Sequence, residues 1–181
     1  MLNKSSHMDA KTAARFRRQC LKRYVEPQIG STYLYIVNSA FLTIAGSLSF
    51  VAALLHICVV IGGPRWYRFF GAGEAIAQLA ELKSLKPTII TLGISAILFT
   101  WSAFAWSASG HLPSLPFMKL ALSAITIIYL IRGAVGLVAP FVSDRPLIKQ
   151  NSVAFWIWSS AVCVVIGLFH LIGLIEVWRN I

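Results

Sequence analysis

The chain has 181 residues, 57% of them hydrophobic and 12% charged, with a mean hydropathy of +0.74. A soluble domain carries about 25% charged residues, so a water-soluble globular enzyme is excluded as the first reading, and an integral membrane protein of one domain takes its place. The net charge of +10 comes from 16 Lys+Arg against 6 Asp+Glu.

Seven of the basic residues lie in the first 23 positions, ahead of the first apolar run. A basic flank beside a span reads as topology and contact with anionic lipid. Nucleic-acid binding is not expected, because no binding motif accompanies the charge. In MDAKTAARFRRQCLKRY, Phe16, Cys20, Leu21 and Tyr24 recur at helical spacing among Arg15, Arg17, Arg18, Lys22 and Arg23. That fits a basic amphipathic helix lying on an acidic leaflet, with a disordered basic tail as the alternative. A signal peptide is not expected, since the basic region and the apolar run after it are both too long for one. Residues 1–32 read as a cytoplasmic or membrane-surface tail, and 33–181 as an all-α, four-helix transmembrane domain.

Four apolar runs are long enough to cross about 30 Å of hydrocarbon: Val37 to Ile61, Thr88 to Ser109, Phe117 to Ala139, and Val153 to Val177. Tyr33 and Tyr35 stand at the entrance of the first, and FWIW opens the fourth, as interfacial aromatics do. Pro87 starts the second, and Pro116 and Pro140 bound the third, because proline suits a first turn and resists an interior one. The short links make sequential helices antiparallel. Basic residues count nine on the side of the termini and six on the other, which favours both termini in the cytoplasm, here of a bacterial inner membrane.

The first loop opens with Gly62-Gly63-Pro64, a turn that stops the helix. RWYRFF then presents Trp66, Tyr67, Phe69 and Phe70 at the headgroup level with Arg65 and Arg68 in water. Ile76, Leu79 and Leu82 recur at three-residue steps, so a short amphipathic helix is expected on the membrane surface. Glu74 lies near its start, where a carboxylate favours the dipole.

Ionisable residues inside spans are functional suspects. His56 lies roughly 8 Å and Arg132 roughly 10 Å from the loop-one face, counting 1.5 Å per residue. Glu74 lies in that loop. A pocket of His56, Arg132, Trp66 and Tyr67, with Glu74 or a bound anion as countercharge and the aromatic segment folded over it as a lid held by Trp66 and Phe70, is therefore expected at one end of the bundle. Its plainer alternatives are a packed histidine, a snorkelling arginine and a helix-capping glutamate. His170 lies about 18 Å deeper than His56, so the two are not expected to share a haem or a metal. The cysteines, Cys20, Cys58 and Cys163, show no metal spacing and read as buried small hydrophobes. Gly46, Ser49 and Ala53 give the first span an inward face for close packing.

LLHICVVIGGPRWYRFFGAGE, ITIIYLIRG and FWIWSSAVCVVIGLFHLIG together resemble a group of small, uncharacterised bacterial four-span membrane proteins over roughly residues 42 to 179. A looser likeness, of architecture alone, is to DoxX-type membrane proteins. The resemblance implies a fold and no activity. The functional expectation is a non-enzymatic accessory or small-ligand-binding membrane protein with its polar pocket near loop one. The alternatives are a quinone- or haem-associated redox accessory protein and an oligomeric small transporter. No cofactor is expected under the first reading, and the expected partners are anionic lipids, another membrane protein or further copies of the chain.

Overall fold

A computed structural model describes residues 15–17, 19, 26–149, 151–179 and 181, with the backbone alone for 26–39 and 147. The described residues are helices and connecting turns: α1 (Glu26–Gly62), α2 (Pro64–Phe69), α3 (Glu74–Glu81), α4 (Leu85–Ala108), α5 (Met118–Val142), α6 (Pro146–Lys149) and α7 (Val153–Val177). Two units are distinguished, Met1–Val37 and Asn38–Ile181. In the first, Arg15, Phe16 and Arg17 are helical and exposed. The rest of the expected amphipathic stretch, including Arg18, Cys20, Leu21, Lys22, Arg23 and Tyr24, lies outside the described residues, as do the side chains of Tyr33 and Tyr35.

Four segments of the second unit are long and apolar enough to cross a membrane: Ala40–Gly62, Leu85–Ala108, Met118–Val142 and Val153–Val177. Their ends differ from expectation for local reasons. Helix α4 starts at Leu85, ahead of Pro87, because Ser84 caps it by accepting from the Lys86 amide at 3.4 Å. Pro87 then sits within the first turn, where amides lack helical partners anyway. Helix α5 runs through Pro140 to Val142. Proline removes one bond of the ladder, and the ladder resumes when the Ser143 amide donates to Ala139 at 3.0 Å.

Among the buried positions of three spans run lines that recur at three, four or seven residues. They are Thr91, Ser95, Leu98, Ser102 and Ala105 on α4; Leu122, Thr126, Tyr129, Gly133, Gly136 and Pro140 on α5; and Ser160, Gly167, His170, Leu174 and Val177 on α7. That is the spacing by which slightly tilted helices interlock. Gly46, Ser49 and Ala53 are buried, as expected of an inward face on α1. Ser95 donates to the Ala53 carbonyl at 2.9 Å, joining α4 to α1. Helices α5 and α7 approach closely at Gly133, where an added Cβ would lie 3.0 Å from the Val164 amide nitrogen. A Cβ on Gly173 would lie 3.1 Å from the Leu42 amide nitrogen, so α1 also meets α7 at backbone distance.

The loops close the two ends. Asn151 donates to the Gly71 carbonyl at 2.8 Å, which ties the third loop to the first. In the second loop, Ser107 donates to Pro113 at 2.6 Å and accepts from the Leu115 amide at 3.1 Å.

Candidate functional site: a polar cluster in the helix interior

Loop one folds on itself. RWYRFF belongs to a helix of its own, entered through Gly63 at φ 66, a left-handed value that favours glycine. Tyr67 is buried and packs with Val59 and Ala77, flanked by Ile76 and Ala80. Trp66 is exposed. The amphipathic helix is present as α3, but Leu82 lies just past its end and is exposed, so its buried face is Ile76, Ala77 and Ala80.

Glu74 is the first residue of α3, as its dipole role requires. Arg68 takes both its carboxylate oxygens at 2.9 and 2.8 Å, and reaches Glu81 at 2.7 Å. The Arg68 hydrogen bonds hold the Glu74 carboxyl below the usual carboxylate range, and the two carboxylates raise the Arg68 guanidinium. The expectation that Glu74 turns inward to Arg132 is thus corrected: a guanidinium six residues away already takes both of its oxygens.

His56 and Arg132 each have a contact of their own. The His56 Nδ1 donates to the Ala52 carbonyl of its own helix at 2.7 Å. Arg132 is exposed, with its guanidinium carbon 5.4 Å from the Trp156 ring centroid. Among the described residues, no carboxylate lies within ion-pairing distance of it. Arg132 stands one position short of the buried Gly133, and that offset turns it outward. Cys58 is exposed rather than buried, and Cys163 is half-buried.

The polar groups gather elsewhere. His170 is 0% exposed. Its ring lies against Tyr129, centroids 5.4 Å apart, and Trp101 meets Tyr129 edge-on at 5.0 Å. The Tyr129 hydroxyl and Ser49 share a buried hydrogen bond of 2.9 Å. Counted along their helices from the loop-one end, Ser49 and Tyr129 lie about 20 Å deep, and Trp101 and His170 about 24 to 26 Å. Residues from all four spans therefore converge in the half of the bundle nearer loop two.

His170 behaves as a packed histidine at one nitrogen only. Its Nδ1 lies 3.0 Å from the Ile166 carbonyl. A carbonyl only accepts, so Nδ1 carries the hydrogen, and the neutral ring keeps its lone pair at Nε2. That Nε2 is buried without a partner, as is the Ser102 hydroxyl, 1% exposed. Several other serines and threonines of the spans, Ser47, Thr100, Ser123 and Thr126 among them, bond to their own helix four residues back. The cluster thus offers an acceptor beside aromatic faces. Among the described residues no three His, Cys, Asp or Glu gather as metal ligands would.

Depth alone does not single out these residues in the sequence. The signal that does is the three-and-four spacing of hydroxyls and glycines with Tyr129 and His170. Comparison with protein-family models, characterised proteins and solved structures finds no match.

Proposed function

We propose that the chain is a non-enzymatic multi-pass membrane protein that holds one small lipophilic molecule in its interior, with a hydrogen-bond donor of that molecule on His170. The observation that carries this reading is the buried Nε2 lone pair. An unmet buried acceptor costs about 1–3 kcal/mol, and the spans place it beside Tyr129, where a flat group can stack. The reading rests on this deeper cluster because Glu74 is already held by Arg68 and His56 is only half-buried, whereas the His170 ring is fully buried with its Nε2 unmet.

A quinone-associated accessory role is the second reading. The aromatic walls of Trp101 and Tyr129 favour it, since a quinol headgroup is flat and donates O–H. The charge asymmetry supports both termini in the cytoplasm of a bacterial inner membrane, with the basic tail on anionic lipid.

The test is mass spectrometry of what organic solvent extracts from protein purified in mild detergent, wild type beside H170F. A compound near one per chain in the wild type and depleted in H170F supports the reading, and a quinone absorption band in that extract selects the second form. Equal extracts, including two empty ones, overturn both.

A further inference from the structure

Arg132 is the cation deepest inside a span among the described residues, none of whose carboxylates lies within ion-pairing distance of it, and the way it is held says what it meets. Arg132 lies ten residues before the end of α5, about 15 Å from the loop-three end. Its charge cannot be lost. A helix directs its side chains toward its N-terminus, which for α5 is toward loop two. Arg132 goes the other way. A Cβ added to Gly136, one turn further on, would lie 2.6 Å from its Nη1, so the guanidinium runs over that glycine toward loop three. There it stacks on Trp156. The indole N–H donates to the Ile148 carbonyl at 3.0 Å, which anchors that ring at the start of α7.

The guanidinium is thereby raised to about 9 Å from the end of α5, still within the hydrocarbon edge. One face is covered by the indole. Its Nη1 lies over the buried Gly136 near the Ser160 hydroxyl, while the residue as a whole is exposed. Five N–H donors in a plane suit a phosphate, bidentately. Arg145 is exposed in the same loop, whereas Lys149 is paired with Asp144 at 3.1 Å. Free phosphate does not enter hydrocarbon, so the source is a lipid, and the unpaired positive charges select a lipid of net negative charge.

We propose that Arg132 and Trp156 form a binding site for the phosphate of an anionic phospholipid, on the α5–α7 seam at the loop-three end. The site is separate from the buried cluster and does not depend on it.

The experiment is native mass spectrometry of the full chain in a neutral detergent, titrated with an equimolar mixture of phosphatidylglycerol and phosphatidylcholine. The wild type is expected to retain one phosphatidylglycerol preferentially. R132Q is expected to lose that preference by about tenfold or more, as befits loss of a charge-assisted hydrogen bond. R132K, which keeps the charge and loses the fork, falls between them. A triple variant of the tail, R15Q/R17Q/R18Q, keeps the tightly held lipid. R132Q with wild-type preference overturns the proposal, as does a tail variant that loses this lipid.

A second measurement needs no change at Arg132. Brominated phosphatidylglycerol should quench more of the fluorescence that W156F lacks than brominated phosphatidylcholine does. Equal quenching by the two lipids also overturns the site.

Discussion

One methyl group placed at two glycines separates packing from helix propensity. At Gly133, a Cβ would lie 2.5 Å from Val164 Cγ2, 3.0 Å from the Val164 amide nitrogen and 3.1 Å from the Ser160 carbonyl oxygen. The first contact yields if a side chain turns, whereas the other two are backbone and yield only if α5 and α7 separate. At Gly93, exposed on α4, nothing lies within 4 Å of the added carbon. Glycine to alanine in a helix gains up to about 1 kcal/mol. Overpacking a tight contact costs about 1–3 kcal/mol. G93A should therefore stabilise the bundle by up to about 1 kcal/mol, and G133A should destabilise it by up to about 2 kcal/mol. At about 2–4 °C per kcal/mol for a chain of this size, the two variants should unfold several degrees apart, on opposite sides of the wild type. Thermal unfolding followed by circular dichroism in one detergent measures this. Adding V164A to G133A should restore only part of the loss, because the backbone contacts persist. A G133A protein that unfolds at or above G93A refutes the close approach of α5 and α7.

Tyr129 and Ser49 are coupled. Y129F leaves a buried serine hydroxyl without its partner and should cost about 1–3 kcal/mol, while the double variant Y129F/S49A should lose less than the two single changes summed; strict additivity would mean the bond contributes nothing. The Arg68–Glu74 pair sets a pH dependence. The Glu74 carboxyl is lowered in the fold, so its contribution is fully present above the usual carboxylate range and is lost as pH falls through its lowered value. Trp66 fluorescence of wild type and E74Q should then differ above that range and converge below it, and the difference should shrink in high salt because the pair is exposed. Reporter fusions at Ile181 and within residues 110–115 should read cytoplasm, and fusions after Glu81 the other side; a cytoplasmic signal after Glu81 would reverse the orientation.

How far the sequence reaches can be judged from particular residues. The four spans are legible because about twenty apolar residues in succession have few other uses. Their ends are less so. Pro87 and Pro140 look like boundaries, yet Ser84 starts one helix earlier and the other simply passes through Pro140. The short α2 escaped because RWYRFF reads as interfacial aromatics whether or not it is helical. The α3 face was half legible: Ile76 packs inward, while Leu82 falls beyond the last turn.

The site was missed for a reason specific to membranes. Position along a span follows from counting residues, so depth is legible. Direction around a helix is not, because lipid and bundle interior are both apolar and hydrophobic periodicity fades. His56, Arg132 and Glu74 were grouped by depth alone, and depth placed them at the correct end. What separates them is azimuth and the nearest competing partner. His56 meets its own Ala52, Glu74 meets Arg68, and Arg132 sits one position off the seam, where it meets Trp156. Small and hydroxyl-bearing residues carry the missing coordinate. Thr91, Ser95 and Ser102 mark the inner face of α4, and Gly133 and Gly136 mark that of α5. Continued in the same three-and-four steps, the α5 line passes through Tyr129, and the line through Ser160 and Gly167 on α7 passes through His170. Two aromatic rings of neighbouring helices therefore fall on facing seams within about 6 Å of depth, and that coincidence, more than either residue alone, brings an imidazole lone pair into the interior.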